Sequence, residues 1–178
     1  FRTVLAGVLD AYRSRRDQVA AQADAIRRVL DAALDEAAPG QVSPALLDGA
    51  VRQIASVFDQ VHGGFGSQPK FPHPGAVTLL LHRWYDAPDP TIRRIIDRTL
   101  EGMGRGGVYD QLGGGFHRYS VDAEWIVPHF EKMSYDNSEL LKAYLDAYAL
   151  FGTEEYAEVA RGIVRWVREV LADPSALA

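Results

Sequence analysis

The chain of 178 residues contains no cysteine. That absence removes disulfides, thiolate metal sites and thiol catalysis from its chemistry. Long apolar runs are missing too, and so is a signal-peptide pattern, so nothing in the sequence calls for a membrane. Positive charge is scarce: 19 lysines and arginines face 24 aspartates and glutamates, for a formal net charge of −5. A basic face for nucleic acid or an anionic lipid surface is therefore not expected. Sustained period-two alternation is absent, which limits β-structure to short hairpins in loops. What remains is a soluble globular balance, 47% hydrophobic, long enough for one sizeable core. A cytoplasmic location fits it. Phe1 stands where a methionine would open a complete chain, and a piece of a longer protein is expected.

The sequence that is present reads as helices. From about Thr3 to Ala38 it is rich in Ala, Leu, Arg and Asp. Val4, Leu5, Val8, Leu9 and Tyr12, then Val19, Ile26, Val29 and Leu30, predict one long helix or two in line. Pro39-Gly40 should stop it. Ser43-Pro44 is a helix start, because serine caps free amides and proline at the first helical position loses nothing. Leu47, Val51, Ile54 and Phe58 continue one apolar face up to Gly63-Gly64. Further helices are expected from Pro74 to Tyr85 and from Asp89-Pro90 through Met103. Two more run around Tyr144, closed by Gly152, and from Thr153 onward through Trp166. The fold class is all-α.

An internal repeat organises these helices. The stretch 59-DQVHGGFG-66 returns 51 residues later as 110-DQLGGGFH-117. Helix, Gly-rich loop and helix at a period of about 50 residues is the pattern of stacked helical hairpins. Both loops should lie at the same end of the stack, where repeat proteins gather their binding surfaces. Read by itself, each loop also answers a simpler need, since tight turns use glycine's positive φ.

Chemistry concentrates after the second copy, in 107-GVYDQLGGGFHRYSVDAEWIVPHFEKMSYDN-137. His117, His129, Asp110, Asp122, Glu124, Glu131 and Asp136 stand there among Tyr109, Phe116, Tyr119, Trp125, Phe130 and Tyr135. Aromatic rings with carboxylates and histidines suit a sugar, whose apolar face stacks while charged groups bind hydroxyls and move protons. Paired carboxylates would serve hydrolysis, and histidines near neutrality would serve an epimerase. The candidate catalytic residues are His129, Glu131, His117 and Asp110. The candidate substrate contacts are Trp125, Tyr135, Asp136, Arg118, Phe65 and Lys70. Asp136 followed by Glu139 also fits a capping box at the next helix start. Lys70 reaches either a loop carboxylate or solvent. Gly102, Gly104 and Gly107 spell G-x-G-x-x-G, but after a helix rather than a strand, so dinucleotide binding is not expected. No cofactor is called for and no metal is expected: His129 and Glu131 with His62 and His117 could assemble a metal site in space, but their spacing makes only a weak case for one.

The stretches 63-GGFGSQPKFPHP-74 and 106-GGVYDQLGGGFHRYSVDAEWIVPHFEKMSYDN-137 closely resemble the thioredoxin-domain-containing family related to spermatogenesis-associated thioredoxin-like proteins. The resemblance covers almost the whole chain, and its PHFEKM-x-YDN string is very specific. It implies an N-terminal thioredoxin-like domain, here missing, followed by an (α/α) toroid. That toroid is similar to the six-hairpin glycosidases and the N-acylglucosamine 2-epimerase group. Residues 1–40 would then be a linker helix region and 41–178 the first hairpins of an incomplete ring.

Two functions follow as expectations. In one, the loops after the inner helices form a sugar pocket with epimerase- or glycosidase-like chemistry. In the other, the toroid is a non-catalytic scaffold for the thioredoxin-like domain, with Lys132 and Glu131 in internal pairs. Expected partners are a sugar or other small molecule, the missing domain, and a second copy through exposed hairpin faces.

Overall fold

A computed structural model describes residues 1–35, 43–173 and 175 of the chain. The expected stop at Pro39-Gly40 lies outside the described residues. Two compact units emerge, Phe1–Ser43 and Pro44–Ala178.

The first unit holds α1 (Arg2–Ser14) and α2 (Arg16–Asp35). The sequence left open one helix or two, and the break falls at Arg15, with φ −131° and ψ 39°. The apolar stripe of α1 (Val4, Leu5, Val8, Leu9, Tyr12) is exposed, as are Ile26, Val29 and Leu30 of α2.

The second unit contains α3 (Pro44–Ser56), α4 (Pro74–Asp86), α5 (Pro90–Arg105), α6 (Ser134–Phe151) and α7 (Glu154–Trp166). The last turn after α7 widens to π pitch over Val167–Leu171. Local chemistry explains the boundaries. Asp89 caps α5 by accepting from the amides of Thr91 (2.6 Å) and Ile92 (3.2 Å). Gly152 ends α6 in the left-handed region, φ 67°. The start of α6 differs from a capping box at Asp136. The helix begins at Ser134 behind Met133, and Asp136 lies inside the first turn.

α4 packs on α3, α5 and α6, while α7 packs on α5 and α6. Ile95, Ile96, Leu100 and Met103 of α5 meet Leu80, Leu81, Leu140, Tyr144 and Ile163 in one core. Short links join α4 to α5 and α6 to α7. The long Gly-rich loops join α3 to α4 and α5 to α6, so antiparallel helices put both loops at one end. These loops lead into α4 and α6. Their only β-structure, among the described residues, is isolated antiparallel bridges such as Tyr109–Phe116 and Lys70–Ser120. No described helix is long and apolar enough to cross a membrane.

Candidate functional site

Each Gly-rich loop is held by the same set of atoms. In the first, Asp59 Oδ1 accepts from the amides of Val61 (2.8 Å) and His62 (3.0 Å). Its Oδ2 accepts from Lys70 Nζ at 2.5 Å, and Lys70 also donates to the Gly63 carbonyl at 3.0 Å. In the second, Asp110 Oδ1 accepts from Leu112 (3.0 Å) and Gly113 (2.9 Å). Lys132 Nζ donates to Asp110 Oδ2 and to the Gly114 carbonyl, both at 2.7 Å. A tryptophan lies under each ammonium: Trp125 at 5.3 Å from Lys70 and Trp166 at 5.5 Å from Lys132. An arginine from a neighbouring helix holds each loop tip, Arg98 at the Val61 carbonyl and Arg165 at the Leu112 carbonyl.

This clamp reassigns four candidates. Asp110 has both oxygens committed to loop donors, and its carboxyl is held at about 2, chiefly by Lys132. A group that acidic is a poor proton carrier at neutral pH. Lys70 is wholly buried, its ammonium facing Asp59 rather than a ligand. Phe65 belongs to the core, tilted against Phe58. Trp125 is buried at φ 67° and donates from its indole to the carbonyls of His62 (3.2 Å) and Gly63 (3.3 Å). It offers no face for a sugar to stack on. The decoy glycines have their reason here as well. A Cβ on Gly102 would press on the His62 carbonyl and Trp125, and one on Gly107 would strike Ile126.

A second group of candidates comes together at the surface. Glu131 Oε2 lies 3.5 Å from Arg118 Nη1 and 3.5 Å from His129 Nδ1. The segment that carries them is set by its backbone: the Arg118 amide donates to the Glu131 carbonyl (2.7 Å) and the His129 amide to Tyr119 (2.9 Å). The His129 ring stacks on Tyr119 at 4.8 Å and 18°. Tyr119 in turn meets Phe71, from the other loop, at 4.8 Å. Side-chain exposures of 43% for Arg118, 48% for His129 and 41% for Glu131 leave all three open to a ligand. Arg118 also lies in the field of Tyr135 and Asp136. Burial pushes the Asp136 carboxyl above its ordinary value; Arg118 opposes this and Glu131 adds to it. Its Oδ2 is shielded from water and has no hydrogen-bond partner among the described residues.

His117 stands apart from this trio, edge-on to Phe130 at 5.3 Å. Its Nδ1 is buried with no partner among the described residues, and burial, then Lys132, pulls its pKa below the ordinary value. No three His, Asp or Glu side chains among the described residues are grouped to hold a metal ion.

Sequence reasoning missed three supports. Asn137, wholly buried, accepts from the Phe116 amide (2.6 Å) and donates to the Phe116 carbonyl (2.9 Å), tying the loop to α6. Asp122 gathers the amides of Glu124 (2.8 Å), Ile126 (3.1 Å) and Val127 (2.6 Å) into the turn before His129. The role of Asp59 was legible in principle, since the repeat aligns it with Asp110.

No protein-family model matches the chain. Over 98% of its length it is 34% identical to spermatogenesis-associated protein 20 of Homo sapiens and, likewise over 98%, 32% identical to that of Mus musculus. It spans 23% of each of these curated relatives, about a quarter of their length. An uncharacterized Caenorhabditis elegans protein is 45% identical over 53% of the chain. Among solved structures, a sugar epimerase from a ruminal bacterium superposes with a TM-score of 0.60 at 14% identity. The match covers 67% of this chain and 34% of the epimerase. At that identity the likeness is one of fold: helical hairpins of an (α/α) toroid.

Proposed function

We propose that this chain, a relative of spermatogenesis-associated protein 20 built on epimerase-like hairpins, supplies part of a sugar-binding site at the Gly-rich loop end of its toroid. The observation that carries the reading is the accessible His129, its Nδ1 facing Glu131 and its ring backed by Tyr119. A carboxylate beside Nδ1 would orient the ring, with Nε2 as the atom that meets the ligand in this reading. Epimerisation next to a carbonyl needs a base to remove a proton and an acid to return one, and imidazole does both near neutral pH. Arg118 and Asp136 would contact ligand hydroxyls. Residues 1–40 serve as the linker and 41–178 as the first hairpins of the ring in this reading.

Turnover on reducing and N-acyl sugars tests it, comparing wild type with His129→Ala and Glu131→Gln. Loss of a general base lowers the rate by about 10²–10⁴-fold. Unchanged turnover in His129→Ala would remove the residue from the mechanism.

The Lys132 clamp favours a second reading for its own part of the loop. Lys132 is committed to Asp110 and Gly114, an internal pairing of the kind the scaffold reading expects of it. Binding of a folded partner protein, with no sugar-dependent thermal shift, would support that function instead.

A further inference from the structure

Phe71, Tyr119 and His129 lie on adjacent stretches of backbone that the fold draws from both loops. Lys70 and Ser120 form one antiparallel bridge, and Ser120 and Pro128 form the next. The Lys70 amide donates to the Ser120 carbonyl at 2.8 Å, and the Ser120 amide returns a bond at 2.9 Å. The His129 amide donates to the Tyr119 carbonyl on the other side. The side chains of Lys70 and Ser120 are wholly buried. Side chains alternate along extended backbone, so Phe71, Tyr119 and His129 fall together on the opposite, outer face. Their rings meet there: Phe71 on Tyr119 at 4.8 Å and 32°, and Tyr119 on His129 at 4.8 Å and 18°.

Two contacts orient the His129 imidazole. Glu131 Oε2, 3.5 Å away, draws Nδ1 toward it, and the stack on Tyr119 sets the plane of the ring. At that length the carboxylate contact is too loose to fix the plane. Tyr119 is only half-buried, and Phe71 backs it from the strand on its far side. Phe71 follows Lys70, whose ammonium is anchored on Asp59 in the first loop. A rigid clamp in one repeat is thus linked by two rings to a histidine in the other.

We infer that Phe71 is a positioning residue of the His129 site, acting through Tyr119, so that the first repeat sets the aim of a base carried by the second. The inference deepens the sugar-site reading and rests on it, because misaim of a base by a fraction of an ångström costs rate.

The test compares Phe71→Ala and Phe71→Leu, which lose the ring, with Phe71→Tyr, which keeps it. Val61→Ala, an exposed change elsewhere in the first loop, is the control. NMR of the histidine rings, with the His129 signal assigned from His129→Ala, reads its orientation through the ring current of Tyr119. Both ring-less variants should displace the His129 signal, while Phe71→Tyr and Val61→Ala leave it near its wild-type position. In turnover on reducing and N-acyl sugars, kcat should fall about tenfold or more without the ring, with KM little changed. Phe71→Tyr should restore the rate. If Phe71→Ala fails to fold, Phe71→Leu, which keeps apolar bulk, carries the comparison. An unmoved His129 signal, or a displaced one with full kcat, overturns the inference and leaves the sugar site standing. A rate loss that Phe71→Tyr does not restore, or that Val61→Ala shares, overturns it as well. Wild type without turnover on any of these sugars removes the sugar reading, and the His129 signal then decides whether Phe71 sets the ring.

Discussion

Lys70 and Asp59 pair at 2.5 Å with the ammonium wholly removed from water. Lys132 and Asp110 repeat that relationship at 2.7 Å, nearer the surface. The two pairs are therefore an internal control for what burial does to one interaction. Lys70→Met leaves Asp59 without its cation and should destabilise the protein by about 3–5 kcal/mol, the range for breaking a buried pair. Lys132→Met should cost less. Urea denaturation of the single variants, and of Lys70→Met with Asp59→Asn, measures this. A double variant as unstable as the sum of its singles would show that the pair is not coupled.

Acid should attack the same clamps. In both aspartates the carboxyl is held at about 2, below the ordinary 3.8. For Asp59, burial works against this and is outweighed by Lys70 and the amides of His62 and Val61. A folded value below the unfolded one gives stability that is complete above pH 3.8 and is lost as pH falls toward 2. Melting temperature followed across that window should drop, and Asp59→Asn should flatten the drop.

His117 should titrate below the ordinary 6.5, because burial and then Lys132 disfavour its cation while Asp110 opposes them. Protons then bind the unfolded chain first, so the contribution of His117 to stability is lost as pH falls below 6.5. Imidazole NMR shifts report the midpoint directly. Lys132→Met should move it upward.

Two glycines separate strain from collision. Gly66 has φ 77° with open space around a would-be Cβ, so Gly66→Ala should cost about 1–2 kcal/mol from the left-handed backbone alone. Gly114 has φ 76°, and a Cβ there would also strike the Gly162 carbonyl. Gly114→Ala should cost about 3 kcal/mol or more, with overpacking added to strain. Equal losses in thermal melts would contradict the contact.

Apolar edges should make the protein associate with itself. Leu145, Tyr148 and Val164 are exposed between α6 and α7, and Leu46 and Leu47 on α3. Concentration-dependent mass by light scattering is expected, shifting toward monomer in a Leu145→Glu, Val164→Glu variant. A stable monomer at high concentration in the unmodified chain would count against it.

The helices were legible because their signals are local. Asp89-Pro90 starts α5 and Gly152 ends α6 through atoms within a few residues of each terminus. The repeated loop was legible for the same reason, as its two aspartates bind amides two and three residues ahead. The lysines that complete the clamps were not. Lys70 follows its aspartate by 11 residues and Lys132 by 22, so no common spacing marks them.

By itself, the sequence determined the helical class, the repeat and the lack of thiol chemistry, because periodicity, capping and composition act at short range. Tertiary structure alone decided the sorting of the loaded loop. It buried Trp125 and Lys70 beneath the first loop and left His129, Glu131 and Arg118 at the surface. The path of an irregular loop is set by distant partners, the His62 carbonyl for Trp125 and Phe116 for Asn137. Residue type alone gave both groups the same aromatic and charged character; burial and hydrogen bonding distinguish them.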